Sequence, residues 1–315
     1  MKSLWRFSIL FIFLFFYASC SKEKRADIAA EKMCDFVSSI SSYARQFDPD
    51  FIIIPQNGCE LAFNSQDPAD GMNGSYLDAI SAFGIEELFY DGSLSVDQER
   101  LSMLCELRKL KQVMVADYVS DNAGIPDVIQ RNLNEGFICF PRVSSNYDYT
   151  QIPDTAIHEN GADIHTMQDA RNYLYLISSK NFNSKREMID SIREINFDVI
   201  LIDLFFENEA FTNTEIGQLK IKANGGTRLV ISYINVGAAE SYRYYWKDDW
   251  RLHNPNWLKK PYEGYEDEIW VKFWKPDWQD IIFGNEDSYI KRIINAGFDG
   301  AYLDNVEVYY FLYFD

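Results

Sequence analysis

Val230 to Glu240 reads VISYINVGAAE, and SYRYYW continues it to Trp246. The apolar, β-branched run stops at Asn235-Val236-Gly237, and a carboxylate, an arginine and a group of aromatics follow within a few residues. A near-continuous apolar run of this kind suits a strand covered on both faces, as in a parallel sheet. The abrupt change to polar residues puts chemistry at the C-terminal mouth of that strand, with Glu240 as the leading candidate.

The same pattern recurs on both sides. Phe51–Ile54, Glu87–Tyr90, Val113–Ala116, Phe137–Phe140, Tyr173–Ile177, Asp198–Leu204, Trp270–Trp274 and Asp299–Asp304 are further strand candidates. Helical patterns lie between many of them: Asp27–Arg45 with Asp27 as N-cap, Ser95–Lys111 with Ser95 and Gln98 spaced as a capping box, Ser184–Ile195 with Ser184 and Glu187 likewise, and Glu286–Ala296 stopped by Gly297. Repeated βα units of this length favour a (β/α)8 TIM-type barrel over a doubly wound sheet. Nine strand candidates compete for eight places, so either Phe137–Phe140 or Trp270–Trp274 lies outside the barrel. Residues 144–169 lack periodicity and read as a linker. His158 and His165, both in it, read as solvated side chains.

The chain has 315 residues, 47% of them hydrophobic, enough for one large domain. Its net charge of −18 argues against nucleic acid as a partner, because binding phosphates needs clustered Lys and Arg. An acidic field favours a cationic substrate, though it also serves plain solubility. The aromatic share is 16%, and the Tyr and Trp between Tyr242 and Trp278 stand among Asn, Asp and Gly, as in a lined cleft.

Residues 1–20 read as a targeting segment. Lys2 and Arg6 begin it, Phe7–Tyr17 is apolar but too short to span a bilayer, and Ala18-Ser19-Cys20 offers a small-residue cleavage site. This resembles a lipoprotein signal with Cys20 lipidated, which implies an exported, membrane-anchored protein; ordinary secretory cleavage is the alternative. Residues 21–26 then form a tether and residues 27–315 a single catalytic barrel. Cys34, Cys59, Cys105 and Cys139 follow no metal or redox spacing and read as buried thiols.

Barrel chemistry sits at the C-terminal ends of strands. Those ends carry Asn57, Glu60, Asp91, Asp117, Asp203, Glu240 and Asp304. A carboxylate closing an apolar run is costly to bury without partners, and several converging on one mouth indicate a site. There is no Gly-rich dinucleotide loop, no Gly-x-Ser-x-Gly elbow and no histidine in zinc spacing, so no cofactor or resident metal is expected. Carboxylates, amides and aromatics are what glycoside hydrolysis uses, although an acidic mouth is also compatible with a divalent cation.

Read whole, YINVGAAESYRYYW, NPNWL, IWVKFWKPDWQDII, AGFDGAYLDNVE and the upstream DVILIDLFF resemble glycoside hydrolase family 114, the endo-α-1,4-polygalactosaminidase family. The resemblance implies a TIM-type barrel that cleaves a galactosamine-containing polysaccharide, with Asp203 as nucleophile or base and Glu240 as general acid. Asp304 and Asn305 match a third motif, implying substrate binding. Arg243 is then expected to orient a carboxylate, and Tyr242 and Trp246 to stack on sugar, with Asp117 and Asn57 as further substrate contacts. The first half resembles the bacterial branch in altered order: FIIIPQNGCELAF, IEELFY, VMVADYV and GFICFPR precede the motif ending at Asp304 instead of following it. The chain thus resembles a circular permutant cut after Asp304, with residues 144–169 joining the original ends; a mis-assembled gene is the rival explanation. A glycan-binding lipoprotein without turnover is the alternative function.

Overall fold

The computed structural model describes residues 4–314, with side chains described from residue 22 onward. The expected lipidation site Cys20 and the side chains of the targeting segment lie outside the described residues. The first helix, α1, spans Leu4–Ala44. It therefore does not start at an Asp27 cap. The stretch SKEKRADIAAEK contains no Gly or Pro to stop helix formation, so the expected tether is helical too. The apolar face of α1, with Met33, Phe36, Val37 and Ile40, is buried in the core.

Eight parallel strands follow in chain order: β1 (Ile52–Pro55), β2 (Ala82–Leu94), β3 (Gln112–Val119), β4 (Ile138–Cys139), β5 (Tyr173–Leu176), β6 (Val199–Asp203), β9 (Leu229–Asn235) and β13 (Gly300–Asp304). One ladder runs β1-β13-β9-β6-β5 and another β2-β3-β4. A parallel bridge from Gln56 to Gly84 joins them. The ladder is open between β4 and β5, where Phe140 sits 5.9 Å from Tyr173 and 6.5 Å from Tyr175, ring to ring. Gly84 is required at its place, because a Cβ there would lie 2.2 Å from the Tyr302 hydroxyl.

Of the two competing candidates, Phe137–Phe140 supplies β4, while Trp270 belongs to β12 (Glu268–Val271) in a separate antiparallel sheet. That sheet has the order β10-β12-β11, with β10 at Ala238–Glu240 and β11 at Leu258–Pro261. A two-strand hairpin, β7 (Phe205–Phe206) and β8 (Glu209–Ala210), follows β6. In β2 the expected segment Glu87–Tyr90 is not the paired one. Ala82–Glu86 pairs with β3, and the register shifts before Asp91, with Glu87 at φ 55°.

The helices between strands are α2 (Gly74–Ala79), α3 (Gln98–Leu107), α4 (Ile125–Asn134), α5 (Lys185–Arg193), α6 (Asn213–Leu219), α7 (Pro276–Ile282), α8 (Tyr289–Ala296) and α9 (Val308–Phe311). Asp97, not Ser95, caps α3 by accepting from Arg100 N–H. Ser184 caps α5, but Glu187 turns to Asn183, so only half of that box forms. The full capping box is Thr212 with Glu215 on α6. Between β4 and β5 no helix forms. The chain runs from Tyr149 beside Phe140 at the mouth to Asn160 at the opposite end, where Asn160 bonds the buried Asp198–Lys222 pair.

Candidate active site

Asp203 is the last residue of β6, and its Oδ1 accepts the N–H of Phe205. Glu240 ends β10, three residues after Gly237. Gly237 packs so closely on the Asn305 backbone that a Cβ would lie 2.1 Å from its carbonyl oxygen. The Glu240 N–H donates to Tyr245 Oη at 3.0 Å, and Tyr245 is wedged edge-on against Trp278. Glu240 is thereby fixed by packing as well as by charge.

Arg243 binds the two carboxylates together. Its Nη1 and Nη2 donate to Asp203 at 3.0 and 2.7 Å. Its Nε donates to Glu240 Oε2 at 2.7 Å, and Nη2 also reaches Oε1 at 3.3 Å. One Nη2 thus contacts an oxygen of each, so those oxygens lie within about 6 Å of each other, nearer the retaining separation of about 5–5.5 Å than the inverting one of about 6.5–9.5 Å. All three side chains are almost wholly enclosed. The guanidinium keeps its proton firmly, because both carboxylates outweigh the cost of burial. Tyr242 Oη donates to Glu240 Oε1 at 2.5 Å, and the Tyr242 ring packs against Arg243.

The register of the small sheet brings in a carboxyl that sequence reasoning missed. Glu268 on β12 stands directly opposite Glu240 on β10. Cβ atoms of directly opposed residues lie about 5 Å apart, and like charges so placed repel. Burial, followed by the charges of Glu240 and Asp304, pushes the Glu268 carboxyl up to about 8, although Asn235 Nδ2 donates to it at 3.0 Å. The only signal in the sequence was its place at the start of a short strand, with no apolar run to mark a mouth. Asp304, at the end of β13, accepts from Tyr233 Oη at 2.5 Å and from Asn305 N at 2.7 Å. Its burial raises it to about 6 despite those donors.

These groups line a cavity of about 1150 Å³ together with Tyr242, Tyr262 and Tyr265. Tyr262 stacks on Trp270 at 3.8 Å, and the exposed Tyr265 lies beside it. Among the expected residues, Asn57, Asp203, Glu240, Tyr242, Arg243, Asp304 and Asn305 all line this cavity. Asn57 Oδ1 accepts the Glu86 N–H, so part of its work is to hold backbone.

Two expected substrate contacts lie elsewhere. Asp117 is fully buried, and its carboxylate accepts from Phe89 N, Tyr90 N and Asn132 Nδ2. It pins the bulged part of β2 to β3 and α4, which satisfies the carboxylate without any ligand. Trp246 packs edge-on against Trp250, outside the cavity lining. Further carboxyls and amides in the lining were unmarked as site residues in the sequence, among them Gln56, Glu86, Glu87 and Glu307. Among the described residues, no cluster of three His, Cys, Asp or Glu side chains is arranged to hold a metal ion. His158 and His165 are exposed.

The segment that supplies Asp203, Glu240, Arg243, Glu268 and Asp304 is also the part that matches a known family. Residues 168–312 match the model of glycoside-hydrolase family GH114. An uncharacterized protein of Methanocaldococcus jannaschii is 41% identical over 122 residues, covering 38% of this chain and 33% of that protein. Uncharacterized proteins of Thermotoga maritima and Deinococcus radiodurans are 32% and 31% identical over 116 and 121 residues, 37% and 38% of this chain and 34% and 37% of their own lengths. The chain thus spans about a third of the length of each of these relatives. The GH114 match holds β5, β6, β9 and β13, while β1 to β4 precede it.

Proposed function

We propose that this protein is a glycoside hydrolase acting on an amino-sugar polysaccharide that contains galactosamine. The observation that carries the reading is the Asp203–Arg243–Glu240 cluster at an aromatic-lined cavity within the GH114 segment. Asp203, ion-paired with Arg243, supplies the carboxylate that attacks the anomeric carbon or takes a proton from the attacking water. The Glu240–Glu268 pair supplies the acid, with its proton resident on the Glu268 side before substrate binds. That proton passes to the glycosidic oxygen as its bond to the anomeric carbon breaks. Tyr242, Tyr262 and Tyr265 offer faces on which sugar rings stack, and Asp304 and Asn305 orient hydroxyls.

The test is release of reducing ends from a partly deacetylated galactosamine polymer. Asp203→Asn and Glu240→Gln are each expected to lower the rate by about 10²- to 10⁴-fold. Full activity in both variants would sink the assignment, and oligosaccharide binding without any release would favour a non-catalytic glycan-binding protein.

The eight strands are read as a closed (β/α)8 barrel, in which the aromatic seam between β4 and β5 completes the ring. Circular permutation within the family is supported by a match that begins just before β5 and ends after β13, leaving β1 to β4 on its N-terminal side. Export and a lipid anchor at Cys20 are part of the same proposal. Labelling of cells with a palmitate analogue, compared with a Cys20→Ser variant, tests the anchor.

A further inference from the structure

Charge is spread unevenly over this chain. Its net charge is −18, yet the stretches NWLKKP (256–261) and VKFWKPDW (271–278) hold four lysines and one acid. The fold brings them together. Burial first, then the charges of Lys259 and Lys275, loosens the proton of Lys272, whose Nζ donates to the Asn256 carbonyl at 3.0 Å. Helix α1 passes beside the turn that follows β12. Phe36 stacks on Phe273 with ring centroids 5.8 Å apart, and Lys32 Nζ lies 4.7 Å from the centre of the Trp274 ring. Arg25, Ile28 and Lys32 are spaced i, i+3 and i+7, so they share one stripe of α1. Ile28 on that stripe is 43% exposed. Just past α9, burial raises the Tyr313 hydroxyl and the nearby charge of Arg25 lowers it.

The lysines of this face are uncommitted. Elsewhere Lys109, Lys180, Lys220, Lys222 and Lys291 each pair with a carboxylate. Among the described residues, none of Lys32, Lys259, Lys272 and Lys275 does so. The acids flanking Lys32 on α1, Glu31 and Asp35, line a separate groove with Leu61 and Phe63. Lys260 has a different task, since its Nζ donates to the carbonyls of Phe311 and Phe314 and ties the end of α9 to β11. Unpaired cations around an exposed isoleucine and a half-buried tryptophan suit a bilayer surface. Anionic headgroups attract Lys and Arg, and indole and apolar side chains rest at headgroup level. Continuity favours lipid over a soluble polyanion, because the sequence of α1 also contains the apolar run Phe7–Tyr17.

We propose that Arg25, Ile28 and Lys32 of α1, together with Lys259, Lys272 and Lys275, form a face that docks on anionic lipid headgroups. The face borders the strand mouths, because Phe311 of α9 stacks on Trp270 and also lines the cavity. Docking there holds the cavity at the membrane surface. This is separate from the anchor proposed at Cys20. An acyl chain enters neutral and anionic bilayers alike, whereas this face tells them apart.

The experiment uses the full chain carrying Cys20→Ser, so that no acyl chain contributes. Sedimentation compares its partition onto vesicles of pure phosphatidylcholine with its partition onto vesicles in which part of the lipid is phosphatidylglycerol. A chain of net −18 is repelled by an anionic surface unless a local face overcomes that field, so the sign of the effect is itself informative. At about 0.1 M salt the anionic vesicles should bind the chain at least about tenfold better, and about 1 M salt should remove the preference. Lys259→Gln, Lys272→Gln and Lys275→Gln together should bring the two partitions within about twofold. Lys259→Arg, Lys272→Arg and Lys275→Arg together should keep the preference. So should Lys109→Gln, Lys180→Gln and Arg186→Gln, which remove the same charge far from this face. A preference that survives the first triple variant, or that falls equally in the distant one, overturns the docking face. Equal partition of the parent onto both vesicles does so too. Retention of a soluble sulfated polysaccharide by the same lysines, with no vesicle preference, overturns lipid as the partner. None of these outcomes bears on the hydrolase reading, which the polymer assay tests by itself.

Discussion

Replacing Glu268 by Gln removes a titration while keeping shape and the oxygen that accepts from Asn235. Glu268 keeps its proton up to about pH 8 rather than the ordinary 4.5. At about 1.4 kcal/mol for each tenfold change in proton concentration, that preference for the neutral form is on the order of 5 kcal/mol. Between these two pH values the folded chain holds a proton here that the unfolded chain has lost. Stability from this group is therefore fully present below about pH 4.5 and falls as pH rises, by up to about 1.4 kcal/mol per pH unit, until about pH 8. Glu268→Gln does not titrate, so it should match the wild type near pH 4.5 and be more stable by a few kcal/mol above pH 8. Urea denaturation across the pH range, with the difference between the two proteins plotted against pH, reads this directly. Kinetically, the variant should lose about 10²- to 10⁴-fold in kcat, along with the basic limb of the pH–rate profile. A stability difference independent of pH would refute the electrostatic reasoning. A fully active variant that keeps the basic limb would refute the role of Glu268 as proton holder.

Arg243→Met leaves two enclosed carboxylates facing each other without their cation; unfolding free energy should drop by about 3–5 kcal/mol in denaturant titration. Asp117→Ala orphans the N–H groups of Phe89 and Tyr90 and the Asn132 amide, so stability should fall by about 2–4 kcal/mol with KM of the remaining folded enzyme unchanged; a KM effect without a stability effect would return Asp117 to the site. Gly237→Ala drives a methyl into the Asn305 carbonyl, and thermal unfolding should show a loss of about 1–3 kcal/mol together with weakened sugar binding, because the strand end carrying Asp304 must shift.

What was readable in the sequence was governed by local rules. Apolar runs located β6, β9 and β13, and the carboxylates closing two of them gave Asp203 and Asp304, because burial on both faces leaves no alternation to misread. The same rule misjudged Asp117. A strand-end carboxylate can be satisfied entirely by neighbouring N–H groups, and nothing in VMVAD distinguishes that from a site. In β2 the apolar segment LFY read as the paired strand, but pairing is decided by its neighbour β3, which engages Ala82–Glu86 instead. Glu268 and Glu86 were invisible for a related reason. Glu268 matters because Glu240 stands opposite it in the sheet, and Glu86 because a distant loop brings the Tyr149 hydroxyl to it, and both are tertiary facts. The aromatic excess was correctly tied to a lined cleft for Tyr242, whereas Trp246 and Trp257 serve packing.

The position of β13 between β1 and β9 bears on the order in which the molecule can be made. A ribosome delivers β1 about 250 residues before its hydrogen-bonding partner, so for most of synthesis the β1 edge has no strand to pair with on that side. The ladder β2-β3-β4 can form early from neighbouring segments, but pairing of β1 with β13 must wait for nearly the whole chain. Contacts so far apart in sequence slow folding and leave an unpaired edge exposed meanwhile. The nascent first half is therefore the stage at which this protein most needs a chaperone. Released chains ending after residue 160, compared with the full chain, should show protease resistance rising sharply only in the longer product.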